Sequence, residues 1–146
     1  MTESEKTRDA YAKQFKIGQR TLDDDTLADF IQNFEKIPLK DERIEERVTY
    51  HDPCNVARTG RITEQPREIL KTICRDFVEM TPNGVDNYCC GGGGGMLSMS
   101  EYGNRRVQSG EVKANQIKAT GAKIVACPCH NCADQLIELN KVYKLG

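Results

Sequence analysis

The sequence predicts an α/β domain, a small mostly parallel sheet flanked by helices, behind an N-terminal helical lead-in. Three observations carry this reading. From residue 48 onward, short β-prone runs alternate with segments of helical period, a pattern that favours parallel strands joined by helical crossovers. All seven cysteines fall in residues 51–146 and none in residues 1–50. Charge divides at the same place: residues 1–50 hold 9 basic and 12 acidic residues, while residues 51–146 hold 12 basic and 10 acidic. The division is therefore a lead-in over 1–47 and a compact, site-bearing unit over 48–146.

In the lead-in, Leu27, Phe30, Ile31 and Phe34 fall at i, i+3, i+4 and i+7, one face of a helix. Asp23, Asp24 and Asp25 place negative charge at its N-terminus, where the helix dipole favours it. Thr2 and Glu5 suit a capping box, but the apolar face that follows (Ala10, Tyr11, Phe15) is thin. Val48–Tyr50 begins the second unit as a strand, ending at the turn signal Asp52-Pro53. Pro66 marks a helix start, with Ile69, Leu70 and Ile73 on its apolar face. Phe77–Met80 reads as a strand stopped by Pro82-Asn83-Gly84. Gly110 to Thr120 reads as a helix with Gly121 as its C-terminal cap. Lys123 to Ala126 reads as a buried strand, and Leu136, Ile137, Leu139, Val142 and Tyr143 suit a final helix.

Composition excludes several classes. One domain suits 146 residues. A net charge of −1 argues against a nucleic-acid module. The longest apolar run, Ile124 to Cys127, is far short of the roughly 20 residues of a membrane span. The polar N-terminus lacks the apolar core of an export signal, so a cytoplasmic location is expected. Seven cysteines are too few for a disulfide scaffold. Clustered in a chain without an export signal, they point to metal binding or redox work.

In open parallel sheets, sites form beyond the carboxyl ends of the strands. Cys54 follows the first strand, Cys127, Cys129 and Cys132 follow the last, and Cys89-Cys90 follows Val85–Tyr88, so three cysteine groups converge on one edge. Cys129-His130-Asn131-Cys132 can put two sulfurs on one ion at a loop-to-helix junction. Alone, this motif fits a dithiol redox pair, half a zinc knuckle or part of an iron–sulfur site. Adjacent side chains in an extended segment point to opposite sides, so Cys89 and Cys90 suit a multi-iron cluster better than a single zinc. The run Gly91 to Gly95 lacks the polar residues of a flexible linker and the Lys-Ser/Thr of a P-loop. Glycines let backbone approach a bulky cofactor, and consecutive amides form an anion-binding nest that tunes a cluster. His51 and His130 flank these groups and are read as loop supports; Arg58, Arg61 and Arg67 are read as a solvated face. Cys74 ends a helix in an apolar pattern and is read as a buried structural cysteine. Cys127 is read as packing, a spare thiol or an alternative ligand.

The order HDPC, NYCCGGGGG and PCHNC resembles the cysteine-rich CCG domain of heterodisulfide-reductase-like proteins. The likeness runs from about Val48 to Leu139, with 34 residues between Cys54 and Cys89 and 38 between Cys90 and Cys129. The wording is most similar to the C-terminal part of the K subunit of the sulfite-reductase-linked membrane complex of sulfate-reducing prokaryotes. The resemblance implies a non-cubane [4Fe–4S] cluster on Cys54, Cys89, Cys90, Cys129 and Cys132, with Gly91 and Gly92 beside it. It implies an anaerobic oxidoreductase in which Cys89 and Cys90 stand at the catalytic centre and a disulfide is split or formed. It also implies partners: a ferredoxin-type electron-transfer domain or subunit, a small-molecule or protein disulfide, and a membrane-attached complex. Cys127-Pro128 echoes another version of the last motif, but His130 stands where its second cysteine would fall, so Cys129 and Cys132 are preferred. The chain departs from relatives in lacking C-x-x-C-x-x-C runs and a preceding half-domain. A zinc-binding structural or interaction module on the same sulfurs is the alternative, and a cofactor-free dithiol switch on Cys129 and Cys132 is a third reading.

Overall fold

A computed structural model describes residues 42–145 and, before them, the backbone of residues 16–17 and 20–21. Two compact units divide the chain, residues 1–41 and 42–146. In the first, β1 (Lys16–Ile17) pairs antiparallel with β2 (Arg20–Thr21). The helix expected over Leu27–Phe34 and the capping box at Thr2 lie outside the described residues.

The second unit is α/β, as the alternation predicts. Its three-stranded sheet is wholly parallel in the order β4–β3–β5. The central strand β3 (Ile44–Tyr50) pairs on one side with β4 (Cys74–Val78) and on the other with β5 (Ile124–Ala126). Val48 sits at the crossing, opposite Phe77 and Ile124. Val48 and Tyr50 are buried with Leu70 and Cys74 in one apolar cluster. A second cluster joins Met80, Cys90, Ile117, Cys132, Leu136 and Leu139. The cysteine site therefore shares its walls with the core.

The helices are α1 (Glu64–Ile73), α2 (Gly103–Ser109), α3 (Glu111–Thr120) and α4 (His130–Tyr143). Gly121 closes α3 in the left-handed conformation at φ 65°, the conformation that glycine adopts without a side-chain clash. Three expectations are corrected. The strand expected over Phe77–Met80 begins earlier: Cys74, in extended conformation, ends α1 and opens β4 with no loop between them. β5 is an edge strand rather than a buried one, and Ile124 is 37% exposed. Ile69 is exposed because α1 turns Arg67 and Leu70 inward instead. Helix α2 and the 3₁₀ turns Gly94–Ser98 and Ser100–Tyr102 went unread in the sequence, because they carry no apolar stripe.

Candidate metal centre

The carboxyl ends of β3 and β5 set the frame. β3 runs on into His51, whose amide donates to the Ala126 carbonyl at 2.9 Å, so the ladder outlasts the last strand residue. His51, Asp52 and Pro53 are all buried, and Cys54 follows half-buried. Across from them, β5 passes into Cys127, Pro128 and Cys129; Cys129 is the cap of α4, and Cys132 lies in its first turn. The tight start of α4 brings two sulfurs of that motif to one place.

The other wall is the Cys89-Cys90 turn. Cys90 is 4% exposed in the core, whereas Cys89 faces outward, as neighbouring side chains in extended backbone must. The Gly91 amide donates to Cys89 Sγ and the Gly92 amide to Cys90 Sγ, each at 3.4 Å. Gly91 has φ 85°, and a Cβ there would sit 2.7 Å from the Gly110 nitrogen. Gly110 in turn leaves no room for a Cβ, which would meet Leu139 Cδ2 at 2.6 Å and the Cys90 carbonyl at 2.8 Å. Two glycines thus press the cysteine turn against the junction of α2 and α3. Gly94 and Gly95 differ: a Cβ on either would meet nothing within 4 Å.

The sulfurs perturb one another. The neighbouring sulfurs of Cys127 and Cys90, then burial, push the Cys132 thiol up. Cys90 is held low by the hydrogen bond from Cys132, then by Cys89, against burial, with His51 and the Gly92 amide adding to the effect. Cys89 is raised first by its hydrogen bond to Cys90 and then by burial. Cys127 is lowered by Cys132, against burial, with help from the Cys129 backbone. Cys54 acts on Cys89 through charge. The structure thus brings Cys89, Cys90, Cys129 and Cys132 into one thiol network that also includes Cys127, with Cys54 at its edge. Cys74 stays apart, 3% exposed in the β3–β4 core, where burial raises its thiol.

Three side chains depart from their sequence reading. His51 is wholly buried, and among the described residues neither ring nitrogen has a partner of normal hydrogen-bond geometry. Its ring lies beside Cys90 and within 4.8 Å, nitrogen to sulfur, of both Cys127 and Cys132. It is not a hydrogen-bonding loop support. A buried polar group without a partner is costly, so this ring is placed for the site. His130, by contrast, is exposed and pairs with Asp134 at 3.5 Å. Arg67 is no solvated residue: 5% exposed, it forks onto both Asp52 oxygens at 2.9 Å and onto Glu79 at 2.7 and 3.0 Å. Arg58 donates to the Val85 and Asn87 carbonyls and ties the Cys54 segment to the approach to Cys89. Arg61 is exposed, and among the described residues it has no such tie.

Lys113 is the residue the sequence hid. It is fully buried on α3, its Nζ 3.7 Å from Met80 Sδ. Its spacing with Ile117 marks the inward face of α3, but a lysine on that face reads as solvent-exposed. Gln135 and Arg106 are a second hidden pair: Arg106 Nη1 donates to Gln135 Oε1 at 2.7 Å and Gln135 Nε2 to the Arg106 carbonyl at 3.0 Å. The stem of Gln135 lies under Gly92, so the pair braces the glycine turn.

A parallel sheet with a partly buried thiol network at its carboxyl edge and a vicinal cysteine pair capped by glycine amides defines a cysteine-rich metal or redox domain. Residues 48–137 match the sequence profile of the CCG cysteine-rich domain, and the chain belongs to that family. It is 38% identical over 88 residues to an Hdr-like menaquinol oxidoreductase iron-sulfur subunit of Archaeoglobus profundus, covering 57% of this chain and 16% of that one. It is 34% identical over 111 residues to one of the subunits of the dihydromethanophenazine:CoB–CoM heterodisulfide reductase of Methanosarcina barkeri, covering 75% of this chain and 26% of that one. It is 35% identical over 91 residues to a probable membrane-anchored ferredoxin of Chromohalobacter salexigens, covering 62% and 13%. The chain thus spans about a quarter or less of the length of these relatives. Their names point to iron–sulfur redox chemistry and lend the zinc alternative no support. No solved structure matches the chain. Among the described residues, no helix is long and apolar enough to cross a membrane.

Proposed function

We propose that this domain carries a non-cubane [4Fe–4S] cluster on Cys54, Cys89, Cys90, Cys129 and Cys132. On this reading it serves as the electron-transfer and thiol–disulfide reductase domain of a heterodisulfide-reductase-like complex. The observation that carries the proposal is the vicinal pair: Cys89 outward, Cys90 inward, each sulfur met by a glycine amide at 3.4 Å. Vicinal thiolates suit a centre with several irons, and amide donors stabilise the negative charge on cluster sulfurs. The donor set is soft and sulfur-rich, as iron–sulfur ligation requires. The unpartnered ring nitrogens of His51 at the inner wall fit a group larger than the thiols alone.

When bound, such a cluster supplies single electrons to a disulfide whose cleavage takes two. The chain's own residues do the rest. Cys89, the exposed sulfur, faces an incoming disulfide. Cys90 and Cys132 close the inner side against the core and exclude water there. The Arg67–Asp52 fork holds the segment that carries Cys54. An electron-donating domain or subunit docks at the outer edge, within a membrane-attached complex; a cytoplasmic placement fits this arrangement.

The test is anaerobic reconstitution of the full chain with iron and sulfide in the presence of equimolar zinc. A brown protein with about four irons and an electron paramagnetic resonance signal on oxidation or reduction is the expected result. A colourless protein holding stoichiometric zinc overturns the proposal.

A further inference from the structure

We infer that Lys113 is the buried counter-cation of the cysteine site, a positioning residue that holds the anionic charge of the proposed cluster and sets its reduction potential upward. The inference rests on the iron–sulfur reading. Lys113 is 0% exposed, and a buried ammonium is unstable unless a negative charge compensates it. Its only close polar contact in the described residues is the Met80 thioether, a weak acceptor that carries no charge. The carboxylate in range is Asp52, and that group is already used: both of its oxygens accept from Arg67, and one also accepts from the Gly84 amide at 2.8 Å. Arg67 and Asp52 close as a neutral pair, and the second carboxylate on Arg67, that of Glu79, is a third exposed and solvated. Met80, which the Lys113 ammonium touches, packs in one cluster with Cys90 and Cys132, and the other groups whose negative charge acts with Lys113 are the sulfurs of Cys90, Cys89, Cys54 and Cys127, the first three of them proposed ligands. Burial pulls the ammonium down to about 8, while Asp52 and these sulfurs hold it up, so it stays charged at neutral pH. A cation fixed in low dielectric favours the added electron of a reduced cluster over the oxidised form, because charge interactions there are barely screened.

The experiment compares wild type with Lys113→Met, which keeps the stem and removes the charge, and with Lys113→Gln, which keeps a polar head. Each full chain is reconstituted anaerobically and titrated against ambient potential with electron paramagnetic resonance as the readout. At the wild-type midpoint, the reduced-to-oxidised ratio should fall about tenfold in both variants, a shift of about 59 mV for a one-electron couple. Urea unfolding of the iron-free chains supplies a second readout. Lys113→Met should be as stable as wild type or more so, since an apolar replacement of equal volume removes a buried charge. An unshifted potential in both variants overturns the inference, as does lost stability of the iron-free variants with the potential unmoved. A wild-type chain that takes up no iron sinks the cluster reading itself; loaded wild type with unshifted variants sinks only the role of Lys113.

Discussion

Arg67→Met tests whether the site is held in place by its buried ion pair. The Arg67 and Asp52 side chains are 6% and 1% exposed and meet through two hydrogen bonds of 2.9 Å. The guanidinium also lies 5.5 Å from the centre of the buried Tyr50 ring and accounts for the Thr63 carbonyl at 2.7 Å. Removing the arginine leaves a buried carboxylate with only the Gly84 amide, and breaking one side of such a pair costs about 3–5 kcal/mol. A domain of this size holds roughly 5–15 kcal/mol in all, so urea unfolding of the full chain at pH 7 should show a large drop in midpoint. The pH dependence has a definite sign. Burial alone raises the Asp52 carboxyl, but the Arg67 fork and the Gly84 amide outweigh it, and the net shift is downward. In wild type, then, Asp52 contributes stability that is present above its unfolded value of about 3.9 and is lost as pH falls through the lower folded value. In Arg67→Met burial dominates, the folded value moves above the unfolded one, and protonation relieves the penalty. The gap between the two proteins should therefore narrow as pH drops from 7 toward about 3.5. Asp52→Asn added to Arg67→Met should recover part of the loss, because no buried charge remains. A loss below about 1 kcal/mol, or a gap that does not change with pH, would refute the reasoning.

Gly91→Ala should destabilise the chain by at least about 2 kcal/mol in urea, since φ 85° and a 2.7 Å approach to the Gly110 nitrogen both oppose a side chain; Gly95→Ala, with open space around it, should be near neutral. Cys89→Ala and Cys90→Ala should abolish iron uptake on reconstitution, because ligation and local folding are coupled, whereas Cys74→Ala should keep its iron and lose about 1 kcal/mol of stability. Cys127→Ala should retain the cluster; loss of iron there with retention in Cys129→Ala would move the ligand register by two residues. The reconstituted chain, offered a low-potential ferredoxin and a candidate disulfide, should form thiols far more slowly than a complete complex, and matching rates would show that no partner is needed.

The α/β class, the parallel sheet and the cap at Gly121 were legible because they depend on local chemistry: period, turn residues and φ; the helix marked by Pro66 was legible too, although it starts two residues earlier, at Glu64. The three cysteine motifs were legible for the same reason, since residue type and spacing select soft-metal ligation before any fold is drawn. Family membership followed from those motifs alone. The sequence could not decide how the charged residues would be used. Arg67 and Lys113 are both basic residues in mixed segments, and nothing local distinguishes a solvated guanidinium from one clamped between Asp52 and Glu79, which lie 15 and 12 residues away. His51 looked like a hydrogen-bonding neighbour of Cys54, but the extension of the β3–β5 ladder through its amide turns the ring toward Cys127 and Cys132. The edge position of β5 and the pressing of Gly91 on Gly110 are likewise matters of distant packing. Burial, and with it the strength of every charge at the site, is a property of what the whole chain places around a residue; only the tertiary structure could assign it.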